Sequence, residues 1–155
     1  EDLKSKRWCG ISNRKHTDYD VDKMGWNFYM NEFSATIGLA QLLKIQKMNN
    51  KRKSIAKIYD KELNVFKKIP FTNTCVYHLY WICVRDRKFF RKKLLEKGIE
   101  TGTHYKPIHQ MSLYKKLVKL PITEKIGKEI VTIPIHPNLT NSQIDYIVKT
   151  INRFS

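Results

Sequence analysis

Two histidines and an asparagine are the side chains of this sequence best placed to do chemistry. His104 and His109 lie five residues apart in Thr103-His104-Tyr105-Lys106-Pro107-Ile108-His109. A zinc site needs further ligands at defined spacing, and no cysteine or carboxylate cluster stands near this pair, so no metal site is predicted. A loop between a strand and a helix can instead turn imidazole and phenol groups toward a bound ligand. Packing and local hydrogen bonding account equally well for each histidine taken alone. Asn27 sits in the aromatic run Met24-Gly25-Trp26-Asn27-Phe28-Tyr29-Met30, just ahead of a predicted helix. An amide there can donate to an anion near the positive end of that helix. An asparagine satisfying its own turn explains the same residue, and on the residues alone the two readings stand level.

Other nucleophile and phosphate sites fare worse. Cys75 and Cys83 fall in or beside a predicted buried strand, where a thiol is inert. The six glycines are never adjacent, so neither a phosphate-binding loop nor a dinucleotide fingerprint can be assembled. Cys9, Cys75 and Cys83 match neither a CxxC pair nor a disulfide framework, and reduced thiols in a cytoplasm are the simplest reading.

The elements that position these residues can be read from periodicity and punctuation. Residues 1–30 read as the end of a helix and a long polar, aromatic loop, because 16–22 carries turn-forming and charged residues without a period. From Asn31, apolar residues recur at three- and four-residue spacing through Phe33, Ile37, Ala40, Ile55, Tyr59 and Leu63, predicting one long helix to about Asn64. Val76 to Val84 reads as a buried strand. Asp86 opens a helix that turns Phe89, Phe90, Leu94 and Leu95 inward, and Gly98 stops it. Ile99 to His104 is expected as a short strand, then helices near 113–118 and 123–130 and a strand over 131–135. Thr140 and Gln143 fit a capping box for a last helix with Ile144, Ile147, Val148 and Ile151 on one stripe. The fold class is α+β, a long N-terminal helix packed on a short sheet.

Composition bounds the function. At 155 residues with 41% hydrophobic content, one real core is the expectation, and no apolar run approaches the roughly 18 residues of a membrane span. Thirty Lys and Arg against fourteen Asp and Glu leave a net charge of +16, which attracts phosphates and acidic partners. The charge is scattered over helical positions, so a dedicated nucleic-acid groove ranks below a solvated basic face. A basic nucleic-acid-binding module and a stand-alone dimerisation domain are the alternatives carried. The opening Glu1-Asp2-Leu3 reads as the interior of a longer protein.

Four landmarks occur in order: Gly25-Trp26-Asn27-Phe28-Tyr29-Met30-Asn31-Glu32, Tyr77-His78-Leu79-Tyr80, Gly98-Ile99-Glu100-Thr101-Gly102-Thr103-His104-Tyr105 and Ile133-Pro134-Ile135-His136-Pro137-Asn138-Leu139-Thr140. Together they resemble the DegT/DnrJ/StrS family of pyridoxal-phosphate sugar aminotransferases, over nearly the whole chain. The resemblance implies the small C-terminal domain of a fold-type I enzyme, with residues 1–30 an arm belonging to a large N-terminal domain and residues 31–155 the small α+β domain. It implies a homodimer that moves an amino group, from glutamate, to a keto-deoxysugar on a nucleotide. The cofactor-bonded lysine of the family lies upstream, so no residue here is given a catalytic role and the chain alone is expected to be inactive. Asn27 matches the asparagine that reaches the cofactor phosphate of a neighbouring subunit. His104 and Tyr105, and more weakly His109, become substrate-binding candidates. Two positions depart from the family pattern, Tyr29 standing where arginine is common and Cys9 where histidine is common.

Overall fold

The computed structural model describes residues 2–114 and 118–155, and the chain divides into two compact units, Glu1–Ile45 and Gln46–Ser155. In the first unit, helix α1 (Asp2–Arg7) leads into strands β1 (Ile11–Lys15) and β2 (Asp18–Val21). These pair antiparallel, with Lys15 opposite Asp18 and Ser12 opposite Asp20. The loop expected over 16–22 is thus in large part a hairpin. It left no apolar period because β2 is exposed throughout and β1 is exposed beyond the half-buried Ile11 and Ser12. The turn is made by His16, which takes a left-handed φ of 55°.

Helix α2 (Glu32–Glu62) begins where Asn31 caps it, its Oδ1 accepting the Ser34 N–H at 2.8 Å. The apolar spacing read from the sequence has two outcomes along its length. Ile55, Ala56 and Tyr59 are fully buried, whereas Phe33 and Ile37 are exposed, and the division between the units falls within this helix.

In the second unit, a sheet of order β3-β4-β5 (Lys67–Lys68, Tyr80–Cys83, Ile130–Ile133) is antiparallel throughout. The strand expected from Val76 starts only at Tyr80. Tyr77 holds a left-handed φ of 51°, and its hydroxyl accepts the Thr72 N–H and faces the Pro70 carbonyl at 3.2 Å, tying residues 70–77 into a turn. Its ring stacks on Phe71 at 5.7 Å.

Helix α3 (Arg87–Glu96) opens on Asp86, whose carboxylate accepts the Phe89 N–H at 2.9 Å. It closes on Gly98 at φ 72°, where the Gly98 and Ile99 amides reach back to Leu95 and Leu94, both at 2.9 Å. Phe90 and Leu94 face the core, while Phe89 and Leu95, expected inward, are exposed. A ten-residue helix over one sheet buries a single stripe, and the neighbours of that stripe turn to solvent.

The strand expected over Ile99–His104 is a single bridge, Gly102 to Thr132. Beyond it the backbone is held by side chains rather than by a ladder. Short 3-10 turns occupy Ile108–Gln110 and Ser112–Tyr114; the rest of the helix expected near 113–118 lies in part outside the described residues. Helix α4 (Pro121–Glu129) precedes β5.

Helix α5 (Asn141–Phe154) carries the capping box, Thr140 accepting from the Gln143 amide and Gln143 accepting from Thr140 N. Ile144, Ile147, Val148 and Ile151 are buried. Each such side chain contributes about 1.5–3 kcal/mol against about 1 kcal/mol for a cap, so packing holds this helix and the cap sets its start. All the buried hydrophobic residues among those described lie between Ile55 and Ile151.

Candidate functional site

In the first unit the aromatic turn is clamped to the end of α1. Trp26 N–H donates to Lys6 O at 2.8 Å, Phe28 N–H to Arg7 O at 2.9 Å, and Cys9 N–H to Trp26 O at 3.0 Å. Asn27 is the residue between, bridged to Trp8. This approach works because Gly10 and Gly25 lie against each other. A Cβ on Gly25 would overlap the Gly10 nitrogen, and one on Gly10 would overlap the Lys23 carbonyl. The Asn27 side chain is exposed and makes no hydrogen bond to the described residues, so it is not spent on its own turn. Its two N–H donors are available to an external acceptor. Tyr29 lies under the Arg7 guanidinium, 4.7 Å from its centroid, and edge-on to Trp8 at 5.6 Å. A cation therefore stands over the Tyr29 ring. Cys9, the second departure, is exposed with its thiol free.

In the second unit, His104 and Tyr105 come together. His104 Nδ1 lies 2.7 Å from Thr132 Oγ1, and the two rings meet edge-to-face at 4.8 Å across a cis peptide bond. Thr132 is buried and Tyr105 is exposed, so the strand holds the imidazole and the imidazole backs the phenol. Gly102 makes room: a Cβ there would stand 2.6 Å from His104 Cε1 and 2.7 Å from Thr132 Oγ1. Gly102 and Thr132 are positioning residues that the sequence reading did not single out. The available signal was one hydroxyl in the otherwise apolar strand Ile130-Val131-Thr132-Ile133.

His109 is turned away from this pair. Its Nε2 lies 3.3 Å from Glu124 Oε1, which also accepts the Leu120 N–H at 3.0 Å. That backbone donor first, and the imidazole second, hold the Glu124 carboxyl below its ordinary value. Pro107 meanwhile packs over Gly127, where a Cβ would lie 2.6 Å from the proline ring. Helix α4 thus braces the loop bearing His104 and Tyr105 at two points.

Cys83 is buried and burial pushes its thiol pKa up, which makes it a poor nucleophile. Among the described residues no group of three His, Cys, Asp or Glu side chains converges as a metal site, and no helix is long and apolar enough to cross a membrane.

Solved structures that superpose on this α+β chain include aminotransferases. The aminotransferase TlmJ of Streptoalloteichus hindustanus matches 96% of the chain with a TM-score of 0.86 at 25% identity, the match covering 42% of that protein. The Helicobacter pylori aminotransferase PseC, described as involved in the biosynthesis of pseudoaminic acid, matches 98% with a TM-score of 0.86 at 28% identity, covering 44%. A GDP-perosamine synthase of Escherichia coli is 34% identical over 90% of the chain. A UDP-4-amino-4,6-dideoxy-N-acetyl-beta-L-altrosamine transaminase of Campylobacter jejuni is 30% identical over 96%. The family model for DegT/DnrJ/EryC1/StrS aminotransferases matches residues 1–152, and the chain belongs to that family. It spans 40% and 43% of the lengths of those two curated relatives.

Proposed function

We propose that this chain is the smaller, C-terminal part of a pyridoxal-phosphate-dependent enzyme that transfers an amino group from glutamate to a keto-deoxysugar carried on a nucleotide. The observation that carries this reading is the family match over residues 1–152. Exposure supports the division of labour within it. Met24, Trp26, Phe28, Met30, Phe33 and Leu43 are all at least 66% exposed, and large apolar side chains left uncovered in one stretch of chain mark a surface that a partner covers. Residues 1–30 are accordingly read as an arm against a large N-terminal domain, residues 31–155 as the small domain, and a second identical subunit as a further partner.

When bound, the cofactor supplies an electron sink for the carbon that gives up or gains the amine. The residues here fit such a group through the unengaged amide of Asn27, which would donate to its phosphate from the neighbouring subunit. Tyr105, backed by His104, contacts the nucleotide sugar, and His109 acts on the substrate side through the loop that it ties to α4. The lysine that moves the proton lies upstream, so this chain alone does not transaminate.

The test is to express the chain with its upstream coding sequence and follow the visible absorbance of bound cofactor. Asn27→Ala should release cofactor on dialysis that the unaltered protein retains. Turnover by the 155-residue chain on its own, or an upstream frame without a lysine ahead of a Gly-rich turn, would sink the reading.

A further inference from the structure

Helix α3 presents a basic face that none of the contacts above uses. Lys88, Arg91 and Lys92 stand three and four residues apart, and with Arg87 they line a cleft of about 690 Å³ closed on the other side by Glu100 and Thr101. Four cations thus face one carboxylate. Two of them are already held in place: Arg91 donates through Nε to Thr101 Oγ1 at 3.1 Å and through Nη2 to the Thr101 carbonyl at 2.9 Å, and Arg87 donates to the Gly127 carbonyl. Fixing a guanidinium in advance lowers the entropy lost when its remaining N–H groups take up a ligand. Lys88 and Lys92 make no hydrogen bond or ion pair with the described residues, although like charges one helical turn apart repel.

We propose that this cleft binds a diphosphate group, carried by a nucleotide or free. An anion of three to four charges satisfies the surplus that the cleft leaves open, and guanidinium forks suit phosphoryl oxygens. The volume lies within the range of small-molecule sites and leaves room for a body attached to the diphosphate. A nucleic-acid track is disfavoured by the same geometry, because Asp86 and Glu96 bound the basic face at the two ends of α3 and Glu100 walls its side. The proposal does not rest on the aminotransferase reading, since it uses none of Asn27, His104, Tyr105 or His109.

Calorimetric titration of the full-length protein with inorganic pyrophosphate tests it, alongside uridine diphosphate and a single-stranded RNA. Pyrophosphate should bind saturably, and Lys88→Gln with Lys92→Gln should weaken it by about tenfold or more, as expected for losing charge-assisted hydrogen bonds. The loss caused by the two lysine substitutions should be the same with or without Tyr105→Ala, which separates this cleft from the sugar-nucleotide contacts. For binding that the two lysine substitutions weaken, equal affinity for uridine diphosphate identifies the diphosphate as the whole recognition element, and tighter binding adds a nucleoside contact within the same cleft. Both lysines are exposed, and an unchanged far-ultraviolet spectrum excludes misfolding as the cause of lost binding. Absence of saturable pyrophosphate binding overturns the proposal. So does an affinity within twofold of the unaltered protein in the double variant, or RNA binding that pyrophosphate does not compete away.

Discussion

Three tyrosines in the core, Tyr59, Tyr77 and Tyr80, allow the contribution of a buried hydroxyl to be separated from that of the ring that carries it. Tyr59 and Tyr80 are both fully buried and meet edge-on at 5.2 Å. Their hydroxyls differ. Tyr59 Oη donates to the Pro134 carbonyl at 2.7 Å, whereas Tyr80 Oη is buried with no hydrogen-bond partner among the described residues. Tyr59→Phe keeps the ring, removes the bond and leaves a half-buried carbonyl unpaired, at a cost of about 1–2 kcal/mol. Tyr80→Phe removes a polar atom already paying desolvation of about 1–3 kcal/mol, less the contacts of one oxygen, so it should stabilise by about 1 kcal/mol. The two variants should then differ by about 2–3 kcal/mol, or roughly 4–12 °C in midpoint if the whole chain unfolds as one cooperative unit. Urea unfolding followed by circular dichroism, with equal m-values, measures this. Burial also raises both phenol pKa values. The folded state therefore holds these protons more tightly than the unfolded chain does, and the associated stability is intact below about pH 10 and falls as pH rises above it. The double Phe variant should lose that alkaline sensitivity. If Tyr80→Phe costs as much as Tyr59→Phe, accounting for these hydroxyls by their partners is wrong.

Other sites answer to different measurements. Gly25→Ala, whose Cβ would overlap the Gly10 backbone, should strip hydrogen-exchange protection from the Trp26 and Phe28 amides while Ile144 and Ile151 stay protected; unaltered protection at Trp26 would count against that close approach. Thr132→Val deletes the 2.7 Å partner of His104 Nδ1 and should cost about 1 kcal/mol. Nitrogen chemical shifts of the imidazole should report an altered tautomer balance, and an unchanged balance would refute the pairing. The Glu124 carboxyl is held low by the Leu120 amide and His109. Its contribution is present above the ordinary carboxylate range and lost as pH falls through the depressed value, so Glu124→Gln should flatten the acid limb of a stability–pH curve. An acid limb identical to that of the unaltered protein would show the carboxyl to be uncoupled from folding.

Features governed by neighbours in sequence were legible without coordinates. The capping box at Thr140 and Gln143, the glycine stop at Gly98 and the apolar stripe of α5 are set by residues within two helical turns of each other. At the aromatic turn around Asn27 the residues alone left an anion contact and a self-satisfied turn level, and whether the amide is spent locally was not legible. That depended on the end of α1 supplying the carbonyls that Trp26 and Phe28 need. Likewise, Phe89 and Leu95 share the apolar chemistry of Phe90 and Leu94, and only the direction of the sheet beneath α3 selects the buried pair.

The α+β class and the helices α2, α3 and α5 therefore come from the chain's own periodicity and short-range spacing, whereas the candidates His104 and Tyr105 came from the resemblance to a family. The hairpin of β1 and β2, the late start of β4 and the orientation of His104 against Thr132 required the folded chain. Each is made by partners distant in the chain or by exposed residues with no hydrophobic period, and contacts of that kind leave no local pattern from which they can be read.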